Sequence, residues 1–588
     1  MFRRTAFVSV PALAFVLLAA LAARAADDPL KIIPGNALGW GVINHLADGD
    51  GKIQKLAGVV GAPQISLLDM VKDKLGVKDG LDAKGAMGVI ALPAKDKEDA
   101  HATPSFVVFV AVTDYKTLLG NFEGEKKDAK IAQVQIAGQA VAVAKLGGFA
   151  LFAKSDDQEA LESVLASKQS IAAEAKPLAA WLAGNDVNVI ATKSGIKLFA
   201  AQGKVALKQL GETLSALGQQ GASIKPALQV YATLLDAIEK NVSLGAVGLQ
   251  VDKTGAVRLA ARARIVEGGD LATALADVKP ASGNLLAGVP GGSFVFAAGG
   301  SLQESLIRPL ASLGVEIMKK SPELYGIDAD QAEKLAKISM QQFHSLRDVS
   351  MVMKPGRAGE PIYSNVYISF RVDDADKYLA AYEKQLEAMK DLLKDAKEGA
   401  FKPPVSKKIE IDGKPAFEVE VTIPVPKTEG NPMAEKMMQA MFGPDNKMKM
   451  YITKADEKTV YMTLGASQDK LQRAIAWSKD EKKCLAADSD VAATVALLPA
   501  GAQGIVLVSP RGYMGMVQRM MESMLGENGP AASIPAFPKC PPVGIALQAA
   551  PGELSLDVVV PAGIIKAAGE YAGTMRERMM GGATPQVP

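Results

Sequence analysis

Residues 105–167 read SFVVFVAVTDYKTLLGNFEGEKKDAKIAQVQIAGQAVAVAKLGGFALFAKSDDQEALESVLAS. SFVVFVAV is a β-branched and aromatic run, the composition of a strand buried on both faces. Thr113-Asp114 supplies N-cap chemistry where that strand ends and the helix TDYKTLLGNF begins. VQIAGQAVAVA is two short alternating runs around Gly138, a hairpin signal, because the turn needs a residue tolerant of positive φ. GFALFA is a further strand, and SDDQEALESVLAS a further helix. From Tyr363 the same order recurs: YSNVYISFRV, DDADKYLAAYEKQL, KKIEIDGKPAFEVEVTI, MKMYITK with TVYMTL, and ASQDKLQRAIAWS. In that second copy Asp373-Asp374 is the cap. Tyr378, Leu379, Tyr382, Leu386 and Met389 fall at helical spacing, so one face is apolar.

The flanks extend the match. Leu30–Val42 and Leu285–Gly299 each carry an apolar residue, Pro-Gly, a small residue and an apolar strand. Trp181–Ile196 and Leu497–Tyr513 each give a turn, a buried strand and a cap, and each half closes on a hairpin. The expected fold is therefore α+β in two homologous halves, each an antiparallel β-sheet with helices packed on one face. The expected divisions are a signal peptide at 1–25, a first repeat at 26–267 and a linker at 268–284. A second repeat at 285–575 and a disordered tail at 576–588 complete the chain. The second repeat carries an insertion, Pro424 to Asn446, rich in Met, Pro and Gly.

At 588 residues the chain exceeds one ordinary core. An apolar share of 48% argues against general disorder. The net charge of +2, with acids and bases interspersed, leaves no footprint for nucleic acid and no polybasic membrane patch. Arg3 and Arg4, the apolar run from Ala6 to Ala23 and the Ala23-Arg24-Ala25 triplet form a secretory signal with cleavage before Ala26. Export to a periplasm or beyond is the expected address, with no transmembrane segment after cleavage. The alternative is an uncleaved N-terminal anchor.

Leu67–Pro93, LLDMVKDKLGVKDGLDAKGAMGVIALP, resembles a segment of exported bacterial proteins of unknown function. Those proteins share the signal peptide and the duplicated layout. The resemblance implies no chemistry for any residue.

Candidate chemistry is sparse. Cys484 and Cys540 have the choice, in an oxidising compartment, of a disulfide or of two small buried positions. Met437, Met438 and Met441 share one predicted helix; Met516, Met520, Met521 and Met524 share another. Their thioethers suit core packing, an adaptable contact surface, or Cu(I). Asp48-Gly49-Asp50-Gly51 has the texture of a calcium loop but lacks two of its carboxylates, and reads as a polar turn before a helix. Ser194 with Lys197, and Ser467 with Lys470, have S-x-x-K spacing, and Lys253-Thr254-Gly255 spells K-T-G. The S-x-N element between them is missing. Asp156-Asp157 and Asp373-Asp374 read as caps. His45, His101 and His344 are isolated. The sequence contains no P-loop, dinucleotide fingerprint or G-x-S-x-G, so no cofactor is expected. The expected role is a non-catalytic binding or scaffold protein of the envelope, partnered by an envelope protein or an apolar ligand. Alternatives are an exported hydrolase and a carrier of apolar ligands.

Overall fold

The computed structural model describes residues 28–94, 103–125, 129–215, 225–320, 330, 331, 333, 334, 337, 338, 344–357, 359–394, 402–423, 432–525 and 534–581. The proposed signal peptide and residues 582–588 lie outside them. The chain divides into two compact units, Met1–Gln202 with Ile238–Val266, and Gly203–Ala237 with Glu267–Pro588.

The first unit holds β1 (Gly39–Ile43), β2 (Met87–Leu92), β3 (Ser105–Ala111), β4 (Glu123–Glu125) and β5 (Ile131–Ile136). It continues with β6 (Gln139–Leu146), β7 (Phe149–Lys154), β8 (Val187–Thr192), β9 (Val242–Val251) and β10 (Val257–Ile265). All neighbours are antiparallel, in the order β4-β5-β6-β7-β3-β2-β1-β8-β9-β10. Side-chain alternation along β3 sends Val107 and Phe109 to one face and Val110 to the other. The first face packs on α4 (Gln158–Ala166), α5 (Ala172–Ala175) and α6 (Ala179–Gly184). The opposite face packs on α1 (Leu46–Val59), α2 (Leu67–Leu75) and α3 (Tyr115–Gly120). Helices thus cover both faces rather than one. The reason is the continuous apolar composition of the strands, which leaves neither face suited to water. Phe109 is fully buried and meets Phe149 edge to face, with ring centroids 5.6 Å apart. The long helices α7 (Lys193–Ser215) and α8 (Lys225–Asn241) lie between β8 and β9 in the chain.

The second unit takes residues 203–215 of α7 and 225–237 of α8, and resumes with α9 (Asp270–Leu275). Its Leu275, with Val278, is buried, so the stretch anticipated as a linker is packed structure. The strands are β11 (Phe296–Ser301), β12 (Leu346–Met353), β13 (Val366–Val372), β14 (Val405–Ile411) and β15 (Lys414–Thr422). Then come β16 (Lys447–Asp456), β17 (Thr459–Leu464), β18 (Gly504–Val508), β19 (Val543–Ala550) and β20 (Glu553–Val560). Their antiparallel order is β14-β15-β16-β17-β13-β12-β11-β18-β19-β20. Counted from its own first strand, each unit runs 4-5-6-7-3-2-1-8-9-10.

Tyr367 and Tyr461 face the core beneath α13 (Gln468–Ser478) and α14 (Ser489–Ala496). Val372, Val460 and Met462 face Tyr378, Leu379, Tyr382 and Leu386 of α11, which spans Ala375–Leu393 after α10 (Glu304–Lys320). On that same face, Val295, Met353 and Val366 pack on residues of α12 (Pro432–Phe442) and α15 (Pro510–Leu525). The last helix, α16 (Ala562–Gly581), runs through residues 576–581, part of the segment expected to be disordered.

The capping residues behave as their chemistry requires. Asp114 accepts from the Thr117 amide at 2.6 Å and Asp374 from the Lys377 amide at 3.0 Å. Ala137-Gly138 and Asp412-Gly413 both have positive φ at the two turn positions, the geometry a two-residue hairpin demands. The two turns are not equivalent by strand order, however. Gly138 joins the fifth and sixth strands of its unit, Gly413 the fourth and fifth. The Ile-x-Gly-x signal marks any tight hairpin and does not say which one.

Candidate ligand site

Between its fifth and sixth strands the second unit carries α12, where the first unit has the turn at Gly138. This is the insertion read from the sequence. Its residues 424–431 lie outside the described ones. Thr422 pairs directly with Lys447, so the two strands meet again at once beyond the insertion.

α12 docks on the loop before β13. The Ile362 and Tyr363 amides donate to the Ala440 and Met441 carbonyls at 3.0 and 3.2 Å. These bonds satisfy carbonyls that a helix end leaves without intrahelical partners. The Tyr363 and Phe442 rings stack, with centroids 5.3 Å apart and planes 22° apart. The loop is held by Glu360. Its carboxylate accepts from the Arg357 amide, the Asn365 amide group and Lys470, each at 3.0 Å. Lys470 also donates to Asn365 Oδ1 at 2.8 Å. The Arg357 amide, then Asn365 and Lys470, hold the Glu360 carboxyl down at about 2.

This arrangement borders a half-open cavity of 460 Å³. Tyr363, Met441, Phe442, Met448 and Tyr451 give it apolar walls, and Pro361 and Pro444 rigid edges. Glu420, Asp445, Lys447, Lys449 and Ser467 bring polar groups to it. Lys447 pairs with Glu420 at 2.7 Å and Lys449 with Glu418 at 3.2 Å, across neighbouring strands. Hydrogen bonds donated to these carboxylates raise both lysines above their ordinary range. Burial, and then the Glu418 carboxylate, push the Tyr451 phenol up, so it remains protonated at neutral pH.

The methionines distribute unevenly. α12 and α15 pack against each other. Met441, Met516 and Met520 pack into the core with Val295, Met353, Ile362 and Val366. Met438, Met521 and Met524 are half-buried, and Met437 alone of the seven is exposed, at 37%. The side chain of Met433 lies outside the described residues.

Of the two readings left open for Cys484 and Cys540, the disulfide is not formed in this structure, where both are free thiols. Cys484 is buried, with its Sγ 3.6 Å from the Asp480 carbonyl. Burial raises both thiols above their ordinary value, the opposite of activation.

The serine–lysine spacings do not assemble. Lys470 is engaged by Glu360 and Asn365, while Ser467 Oγ donates to Asp469. Ser194 and Lys197 are both exposed near the start of α7. Lys253-Thr254-Gly255 is the β9–β10 turn, organised by Asp252, which accepts from the Thr254 and Ala256 amides at 2.7 and 2.9 Å.

Two polar readings need correction. Asp48-Gly49-Asp50-Gly51 lies within α1 and not in a turn before it. Asp50 instead accepts from the Leu67 amide at 2.6 Å and from Ser66 at 2.9 Å, fastening the start of α2. Asp157 makes no cap bond and accepts from Ser105 Oγ at 3.1 Å. His45 is buried at the start of α1, near Asp48, Lys52 and Asp186, and burial lowers it to about 4. His344 lies 3.8 Å from Glu304, and His101 is outside the described residues. Among the described residues, no group of three His, Cys, Asp or Glu side chains is arranged to hold a metal ion. Nor is any helix there long and apolar enough to cross a membrane.

The cavity was not legible as a site because Tyr363 lies in a loop far in sequence from Phe442 and Tyr451, which complete its aromatic walls. The one available signal was the insertion itself. Comparison with protein-family models, with curated proteins and with solved structures found no match to this chain.

Proposed function

We propose that this is an exported, non-catalytic binding protein, and that its ligand site is the cavity bounded by Tyr363, Phe442 and Tyr451. The observation that carries the reading is the placement of α12. A helix added to one unit, at a connection that is a two-residue turn in the other, creates an aromatic-walled cavity of 460 Å³. That volume lies within the range of small-molecule sites. Apolar walls with few polar groups favour the carrier of an apolar ligand over a scaffold for an envelope protein. Met437 and its neighbours remain the place where a protein partner would dock if there is one.

We further read the two units as copies of one ancestral module, related to the exported bacterial proteins that residues 67–93 resemble. The shared 4-5-6-7-3-2-1-8-9-10 strand order supports this. On that account the first unit supplies framework and the second acquired the site. Export rests on the n-region arginines, the apolar run and the Ala23-Arg24-Ala25 triplet. Intact mass of the mature chain should begin at Ala26; a retained N-terminus would overturn it.

Native mass spectrometry of protein purified from its own source tests the binding role. A small-molecule adduct that disappears in Ser467→Trp, which puts an indole on the cavity lining, is the expected result. A bare chain, or an adduct indifferent to that substitution, contradicts it.

A further inference from the structure

We infer that the ligand of this cavity is a planar aromatic molecule of two or three rings without negative charge; this rests on the reading of the cavity as a ligand site. Tyr363 and Phe442, stacked with ring centroids 5.3 Å apart, both line the cavity. Aromatic guests gain against such rings by offset or edge-to-face contact beyond simple area burial. Met441 and Met448 add polarizable thioethers, which contact ring edges favourably and adapt to shape.

Charge disfavours an anion. Lys447 and Lys449 are paired with Glu420 and Glu418, so an anionic ligand would compete with those carboxylates for the lysines. It would also meet the Asp445 carboxylate. The Tyr451 phenol is already bonded to Glu418, so the polar function left for a ligand is the Ser467 hydroxyl, which donates to Asp469 and retains acceptor capacity. One ligand hydroxyl or ring N–H can donate to it. A flexible alkyl chain would lose rotamer freedom on ordering, which a rigid ring system does not.

The test uses the full mature chain and three probes: N-phenyl-1-naphthylamine, its sulfonated relative 1-anilinonaphthalene-8-sulfonate, and n-decanol as a competitor. The uncharged dye should saturate one site, at least tenfold tighter than the sulfonated dye, and decanol should displace it poorly. Ser467→Trp should weaken it at least tenfold and Phe442→Leu several-fold, with thermal melting checked for both. If the sulfonated dye or decanol binds as tightly and is blocked by these substitutions, the aromatic, non-anionic class is wrong while the cavity stands as a site. If no probe responds to either substitution, the cavity is not a ligand site and the class falls with it.

Discussion

Phe442, the last residue of α12, lies stacked on Tyr363 in the loop before β13, with their ring planes 22° apart. This contact joins the inserted helix to the sheet framework. Single Tyr363→Ala and Phe442→Ala variants should each destabilise the second unit by roughly 2 kcal/mol, about half the cost of removing a fully buried aromatic. A double-mutant cycle by denaturant unfolding should give a coupling of about 0.5–1.5 kcal/mol. Strict additivity would mean that the stack contributes nothing beyond burial.

Gly512 and Gly515, one turn apart in α15, should respond oppositely to alanine. A Cβ on Gly512 would lie 1.9 Å from the Phe294 carbonyl oxygen, a backbone atom that cannot move aside cheaply. Around Gly515 the space is open. Gly512→Ala should destabilise by roughly 1–3 kcal/mol through forced backbone displacement. Gly515→Ala should stabilise by about 0.5–1 kcal/mol through helix propensity. Denaturation midpoints of the two variants against wild type check the sign.

His45 should make the first unit acid-sensitive. Its Nδ1 is buried without a hydrogen-bond partner among the described residues, and its pKa is lowered to about 4. Asp48 and Asp186 oppose that shift and Lys52 adds to it, but burial outweighs them. The unfolded chain, near 6.5, then takes up a proton at higher pH than the folded chain. The stability His45 contributes is complete above about pH 6.5 and is lost as pH falls toward 4, by an amount on the order of 2 kcal/mol. His45→Phe should flatten that part of the stability profile. An unchanged slope would show that other groups carry it.

Methionine oxidation should follow burial. Under dilute peroxide, peptide mass spectrometry should find Met437 oxidised well before Met441, Met516 and Met520, which pack into the core. Equal rates would mean that α12 and α15 separate readily.

How much of this was readable follows from how local each signal is. The strands SFVVFVA and VYISFRV, the caps Asp114 and Asp374 and the turns at Gly138 and Gly413 are set by residues within a few positions of one another. All appear where their chemistry puts them. Strand correspondence was misjudged because the hairpins at Gly138 and Gly413 look alike but join different strands. Helices on both faces followed from strands apolar on both sides, an inference the alternating pattern of Lys414–Thr422 obscured. The cavity depends on Tyr363 meeting Phe442, and no local pattern encodes a contact made across so much intervening chain. The S-x-x-K spacing failed for the same reason in reverse: Lys470 finds Glu360, distant in sequence, and not the nearby Ser467.

The most direct test of the central claim removes α12. Thr422 and Lys447 are already paired, so replacing residues 423–446 by Asn-Gly should close β15 and β16 as a hairpin. Titration of that variant with N-phenyl-1-naphthylamine, alongside its circular dichroism, is the decisive measurement. A chain that keeps its strand content and melts cooperatively but no longer binds the dye is the predicted result. Binding retained at wild-type strength would contradict the assignment of the site to the inserted helix.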